Sequence, residues 1–222
     1  LNLHKTFSTP HGGGGPGAGP SCVTEELEPV LPGPRITEDE GFFVFDRVPG
    51  PGDIGVLAWR GSVGVCLRAR SCLLRNGGNG LQRVSDMAVL NANYLLARLK
   101  HLMPVDHPEG CLHEFVANGT SWKEQHGVRT MDIAKRLLDF GVHAPTIYFP
   151  LIVDEAFMVE PTECETRESL DHFVAAMEQI KREAAENPEL LLTAPHATPV
   201  GRLDEARAAR QPDLRWLGPC NC

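Results

Sequence analysis

Leu1-Asn2-Leu3-His4-Lys5-Thr6-Phe7, continued by Pro10-His11-Gly12-Gly13-Gly14-Gly15-Pro16-Gly17, is the stretch on which the reading of this chain turns. It sets one lysine at the end of a short apolar segment and directly before a loop of almost bare backbone. A lysine so placed can form a Schiff base with a carbonyl compound, and glycines let backbone approach a ligand closely. Spacing alone leaves a second reading open, because a Gly/Pro-rich stretch also serves as a flexible linker. The pattern has neither the GxGxxG nor the GxxxxGK[ST] form, so it is not a Rossmann fingerprint or a Walker loop.

The bulk of the chain narrows the class. Its 222 residues suffice for one large domain or one and a half small ones, and 42% hydrophobic with 23% charged residues is an ordinary globular balance. A net charge of −8 argues against nucleic acid or an acidic membrane surface as a partner. No apolar run approaches bilayer-spanning length, and no signal peptide is visible. Seven cysteines form no CxxC pair and no zinc spacing, so no metal site is expected. Cys66, Cys72, Cys111 and Cys164 are expected as small buried or half-buried residues in a reducing compartment.

Punctuation by Pro and Gly divides the rest. Residues 1–3 are expected to end a buried strand and residues 8–20 to form a loop. Ser21 is expected to cap a short helix over 22–28, ended by Pro29, Pro32 and Pro34. Phe42 to Phe45 is a strand candidate, and Pro49-Gly50-Pro51-Gly52 a break. Two long helices are expected over 54–75, stopping at Asn76-Gly77-Gly78, and over 81–102. Beyond them, strands at Leu112–Val116, Thr146–Phe149 and Ala156–Val159 alternate with helices over 131–140 and from Thr166 to Asn187. The second of these helices carries Leu170, Phe173, Val174, Met177 and Ile180 on one face. This order predicts a small α/β domain over 103–187, with 190–222 wrapping its surface.

Several segments, in order, resemble one family. They are the lysine run, Leu90–Leu95, His113–Val116, Asp132–Leu138, His143–Pro150, Met158–Glu163 and Ala194–Glu205. They are similar to glycine dehydrogenase (decarboxylating), the pyridoxal-phosphate-dependent P protein of the glycine cleavage system. The subunit 2 type is the nearest form, and the similarity runs to about residue 216. The resemblance implies an oxidoreductase of glycine catabolism and the C-terminal part of a fold-type-I pyridoxal-phosphate transferase. Residues 1–102 would then be the end of the large cofactor-binding domain, and 103–222 the small C-terminal domain with its tail.

The resemblance also implies chemistry. Lys5 would be both the catalytic and the cofactor-binding residue, joined to pyridoxal 5'-phosphate, whose ring acts as an electron sink. Glycine would be decarboxylated and its aminomethyl group passed to the lipoyl arm of H protein. Subunit 1 would be the assembly partner, with neither nucleic acid nor membrane involved. The location implied is the cytoplasm for the prokaryotic two-subunit type, or the mitochondrial matrix for a eukaryotic source. Because the family continues upstream of its lysine, this chain is expected to be a C-terminal fragment. Alone, it is expected to bind the cofactor poorly and not to turn over glycine.

Other residues carry paired readings. Thr6 is either a donor to the cofactor phosphate or a strand-end hydroxyl bonded to backbone. His4 is expected to be structural, and His11 to stand at the mouth of the pocket. Glu160, Glu163 and Glu165 offer a metal or acid/base cluster, or simply a strand-to-helix turn in which Thr162 and Glu165 make a capping box. Arg202, Asp204, Glu205 and Arg207 are expected as a solvated charge patch. The chain departs from the family at Ser21-Cys22, at Arg60-Gly61-Ser62 and over Leu217–Cys222, where Cys220 and Cys222 form a terminal CxC. Two other functions stay open on residues alone: another fold-type-I decarboxylase or aminotransferase, and a noncatalytic interaction module with a glycine-rich leader.

Overall fold

The computed structural model describes residues 1–10, 17–33, 35–46 and 62–215. His11, Gly12 to Gly15, Pro34, Pro49 to Gly52, the first part of the expected helix 54–75, Arg60-Gly61 and Leu217–Cys222 lie outside the described residues. The chain divides into two units, Leu1–Leu81 and Gln82–Cys222. Residue 102, where the sequence suggests a domain boundary, lies within the second unit, and Leu102 belongs to that unit's core.

In the first unit, residues 1–3 form no strand. A strand needs a continuous ladder, and the segment has two separate bonds, from the Leu1 amino group to Pro20 O at 3.3 Å and from Leu3 N–H to Ala18 O at 2.9 Å, followed by an isolated bridge between Lys5 and Thr9. The expected helix over 22–28 is instead a 3₁₀ turn, Glu25–Val30, with Pro29 inside it. Proline's fixed φ suits such a turn, whereas it would break an α-helix. A hairpin follows, β1 (Arg35–Asp39) pairing antiparallel with β2 (Phe42–Asp46). Its loop residues Glu40 and Gly41 have φ of 48° and 83°, the positive pair that a two-residue hairpin loop requires. The polar β1 gave no sequence signal of its own.

Helix α1 (Val63–Leu99) is two helices end to end. Gly77, at φ 63° and ψ −175°, breaks it where the Asn76-Gly77-Gly78 stop was expected. That backbone conformation is open to glycine almost alone. The second piece ends at Leu99, and a tight turn carries Leu102 and Met103 into the core of the second unit.

The second unit is mixed α and β, with an antiparallel sheet. Strand β3 (Phe115–Asn118) pairs with β5 (Ala156–Val159), which pairs with β4 (Thr146–Ile147), so β5 is central. Strand β3 begins three residues later than Leu112, the expected start, because alternation sends Phe115 and Ala117 inward while Leu112 stays exposed. Between β3 and β4 come α2 (Thr120–His126), not foreseen, and α3 (Thr130–Asp139), which stops at Gly141 in a left-handed conformation. Helix α4 (Arg167–Glu186) buries Leu170, Val174, Met177, Ile180 and Ala184, the stripe its periodicity predicts. Its cap is Thr166, whose hydroxyl accepts from Ser169 N–H at 3.2 Å. The box expected of Thr162 and Glu165 is not made: Thr162 Oγ1 instead accepts from Cys164 N–H at 3.3 Å.

Helices α3, α4 and the short α5 (Glu189–Leu192) pack on one another, and α3 touches β4. Phe157, Ile133, Leu137, Met177, Ile180 and Leu191 are essentially inaccessible to solvent. At about 2–5 kcal/mol for each large side chain truncated, this cluster dominates the stability of the unit. The tail wraps back through α6 (Glu205–Arg210).

Candidate functional site

The lysine run folds into a tight turn. Lys5 N–H donates to Thr9 O at 2.6 Å, and Lys5 and Ser8 both hold positive φ, 64° and 58°. Two non-glycine residues in that region cost roughly 1–3 kcal/mol each and persist only where their surroundings over-determine them. The surroundings here are Thr9, which is 1% exposed, and Gly19, where an added Cβ would lie 1.9 Å from Leu1 O. The turn therefore anchors at its buried end and presents Lys5, Thr6 and Ser8 to solvent. His4 is half-buried beside them.

Next to the turn lies a cavity of about 490 Å³. Ser8 forms one wall, and Leu67, Arg68, Ser71, Cys72 and Arg75 of α1 form the other. Two guanidinium groups and no carboxylate line it, so its field favours an anion. Ser71 is already engaged, donating to Leu67 O at 2.9 Å. Lys5 does not line this cavity but stands exposed in the turn that contributes Ser8 to it, so the two features together fit part of a phosphorylated carbonyl cofactor: an amine for the carbonyl and cationic donors for the phosphate. No acid in the lining would meet a ring nitrogen.

The other sequence candidates fall elsewhere. Glu160 stands with His113 and Glu114, their ligand atoms all within 4.8 Å, rather than with Glu163 and Glu165. The three are at the surface, where such groups cluster commonly without an ion. Cys66 and Cys164 are exposed, and Cys72 and Cys111 half-buried, so two of the four are less buried than expected. The Cys164 thiol is pushed up by the charge of Glu163, and that of Cys111 by burial, which makes both poor nucleophiles. The charge patch near 202–207 is not simply solvated. Arg202 donates to Asp132 Oδ1 at 2.6 Å and to Ala194 O at 3.2 Å, Glu205 pairs with Lys135, and Asp204 caps α6.

The polar hub of the second unit escaped sequence reading. Glu155, 6% exposed and at φ 48°, accepts from Thr130 N–H and Oγ1–H, from Arg129 Nε and from Lys123 Nζ, all at 3.0–3.1 Å. Burial pushes its pKa up, but those four donors outweigh burial and hold it below its ordinary value. A second hub joins Arg136 to Glu183 and Asp139, and Asp139 accepts from the N–H groups of His196 and Ala197. These networks tie loops to helices within the second unit.

Residues 84–195, half of the chain, match the family described as glycine dehydrogenase, C-terminal domain. The chain belongs to that family. The match covers most of the second piece of α1, the sheet and helices α2 to α5, and the Glu155 hub, while His196 and Ala197 of the second hub lie just beyond it. Curated relatives extend the likeness to almost the whole chain. A probable glycine dehydrogenase (decarboxylating) subunit 2 from Shouchella clausii is 54% identical over 217 residues. Its counterparts from Caldanaerobacter subterraneus and Kosmotoga olearia are 55% and 49% identical, each over 219 residues. The alignments take in 97–98% of this chain but 44–45% of those relatives, so the chain spans less than half their length. Among the described residues no helix is long and apolar enough to cross a membrane.

Proposed function

We propose that this chain is the lysine-bearing portion of a glycine dehydrogenase (decarboxylating) of the subunit 2 type. The observation that carries the reading is the extent of the likeness. Identity of 49–55% extends over 97–98% of the chain and so reaches into both units. In this reading the first unit is the end of a fold-type-I cofactor-binding domain, and the sheet and helices of the second unit are its small C-terminal domain. The cofactor is pyridoxal 5'-phosphate, the substrate glycine, the acceptor the lipoyl arm of H protein, and the assembly partner subunit 1.

Lys5 is the residue that holds the cofactor, through its ε-amine. When bound, the cofactor supplies an electron sink for the carbon that loses carbon dioxide. The chain supplies placement. The Lys5–Thr9 bridge and the buried Thr9 fix where the lysine leaves the backbone. Arg68 and Arg75 give the neighbouring cavity a positive field that favours the phosphate group.

The test is covalent trapping. The full-length protein is loaded with pyridoxal phosphate, reduced with borohydride and mapped by peptide mass. The label is expected on Lys5. A label on another lysine, or on none, overturns the assignment.

A further inference from the structure

A second pocket, of about 260 Å³, lies within the second unit, where the end of α1 meets α2 and α4. Lys100 and His101 come from the turn after α1, Gln125 and His126 from α2, and Lys181 from α4, over a floor that includes the buried Trp122. No aspartate or glutamate lines it. In a chain of net charge −8, that is a local reversal of sign.

The two ammonium groups are held but not neutralised. Lys181 Nζ donates to His101 O at 3.4 Å and Leu102 O at 3.5 Å, and Lys100 Nζ donates to Pro108 O at 3.1 Å. Carbonyls orient an ammonium without cancelling its charge. The chain has five lysines, of which Lys123 and Lys135 pair with Glu155 and Glu205. Among the described residues, neither Lys100 nor Lys181 has a carboxylate within ion-pair distance. The floor is fixed, because Trp122 Nε1–H donates to Leu102 O at 3.0 Å. The carbonyl of Leu102 thus ties the tryptophan and Lys181 together.

We propose that this pocket binds a phosphate group. Two compact ammonium charges, one from the turn after α1 and one from the body of α4, suit a many-acceptor tetrahedral anion. A phosphate carries up to two negative charges and several acceptor oxygens, so it can use both ammonium groups at once, whereas a carboxylate brings one charge. The volume falls just below the ~300 Å³ at which drug-sized ligand sites begin, so the ligand is inorganic phosphate or a phosphomonoester with a small body. The site shares no residue with the lysine turn and does not depend on the function proposed above.

The experiment is an NMR titration of the 222-residue chain with inorganic phosphate and, in a second arm, glycerol phosphate. Sodium chloride at matched ionic strength is the control, and the Trp122 indole N–H is the reporter. Saturable shifts are expected with phosphate and absent with chloride. The arm that saturates at lower concentration tells the free ion from the ester. Lys181→Gln and Lys100→Gln are each expected to weaken binding by about tenfold or more, the usual scale for loss of one charge-assisted bond. Arg210→Gln, on the exposed α6, is expected to leave it unchanged. Equal shifts with chloride, no saturation, unaltered affinity in both lysine variants, or an equal loss in Arg210→Gln would each overturn the proposal.

Discussion

Glu155 and Thr130 are joined twice: one carboxylate oxygen of Glu155 accepts both the backbone N–H of Thr130, at 3.1 Å, and its hydroxyl, at 3.0 Å. Both residues are buried, so the pair fastens the start of α3 to the entrance of β5 at a point that water does not reach. Glu155→Ala leaves the Thr130 N–H and hydroxyl without an acceptor, and Arg129 and Lys123 without their shared anion. The expected loss is about 3–5 kcal/mol, read as a fall in the urea midpoint at unchanged slope. A loss under ~1 kcal/mol would show that water replaces the carboxylate.

Acid should loosen the same unit. Glu155, Asp139 and Glu183 are each raised by burial, yet lowered overall by their donors: chiefly Thr130 N–H for Glu155, Ala197 N–H and Arg136 for Asp139, and Arg136 for Glu183. A carboxylate depressed in the folded state stabilises fully above its unfolded pKa, near 4, and ceases to do so as pH falls through its folded value. Urea midpoints are therefore expected to hold nearly constant between about pH 7 and 5 and to drop below about pH 4. Glu155→Gln should flatten that drop. A midpoint that rises on acidification contradicts the scheme.

Arg202 ties the tail to α3 through Asp132 Oδ1 and to the backbone through Ala194 O. Arg202→Ala is expected to cost about 1–3 kcal/mol, the scale of one lost charged hydrogen bond. Its clearer sign is faster tryptic cleavage at Arg207 and Arg210. Unchanged cleavage would mean that the Glu205–Lys135 pair alone secures the segment.

Gly77 interrupts α1 at positive φ with extended ψ. Gly77→Ala cannot keep that backbone without strain of about 1–3 kcal/mol. Loss of thermal stability is expected, despite alanine's higher helix propensity. A stabilised variant would show that the break closes into continuous helix.

Gly19 tests the lysine turn. A Cβ there would stand 1.9 Å from the backbone oxygen of Leu1, so Gly19→Ala must displace the strand of chain that leads into Lys5. Faster tryptic cleavage after Lys5 is expected, together with weaker borohydride-fixed labelling in the full-length protein. An unchanged rate would place the anchor of the turn elsewhere, at Thr9.

What could be read in advance was whatever depends on neighbours in sequence. The α4 stripe from Leu170 to Ile180, the start of that helix at Thr166 and the stop at Gly77 each rest on interactions within a few residues, and β5 was legible as a short apolar run between turns. The missed elements lacked such a signal. Strand β1 is polar, and α2 is seven residues long and starts without a side-chain cap of its own. Residues 1–3 read as a strand, yet pairing decides a strand, and no partner strand stands beside them among the described residues. The 3₁₀ turn over Glu25–Val30 kept the proline that was expected to end a helix.

The sequence by itself determined the family, through ordered segments from the lysine run to Ala194–Glu205, and with it the interest of Lys5. It also determined the amphipathic helices, since helical period and burial share one cause. Only the tertiary structure decided which charges meet. Glu155 lies 25 residues from Thr130, Arg202 lies 70 from Asp132, and Lys181 lies 81 from Lys100. Coulomb and hydrogen-bond energies depend on distance in space and on exclusion of water, and neither quantity is written along the chain.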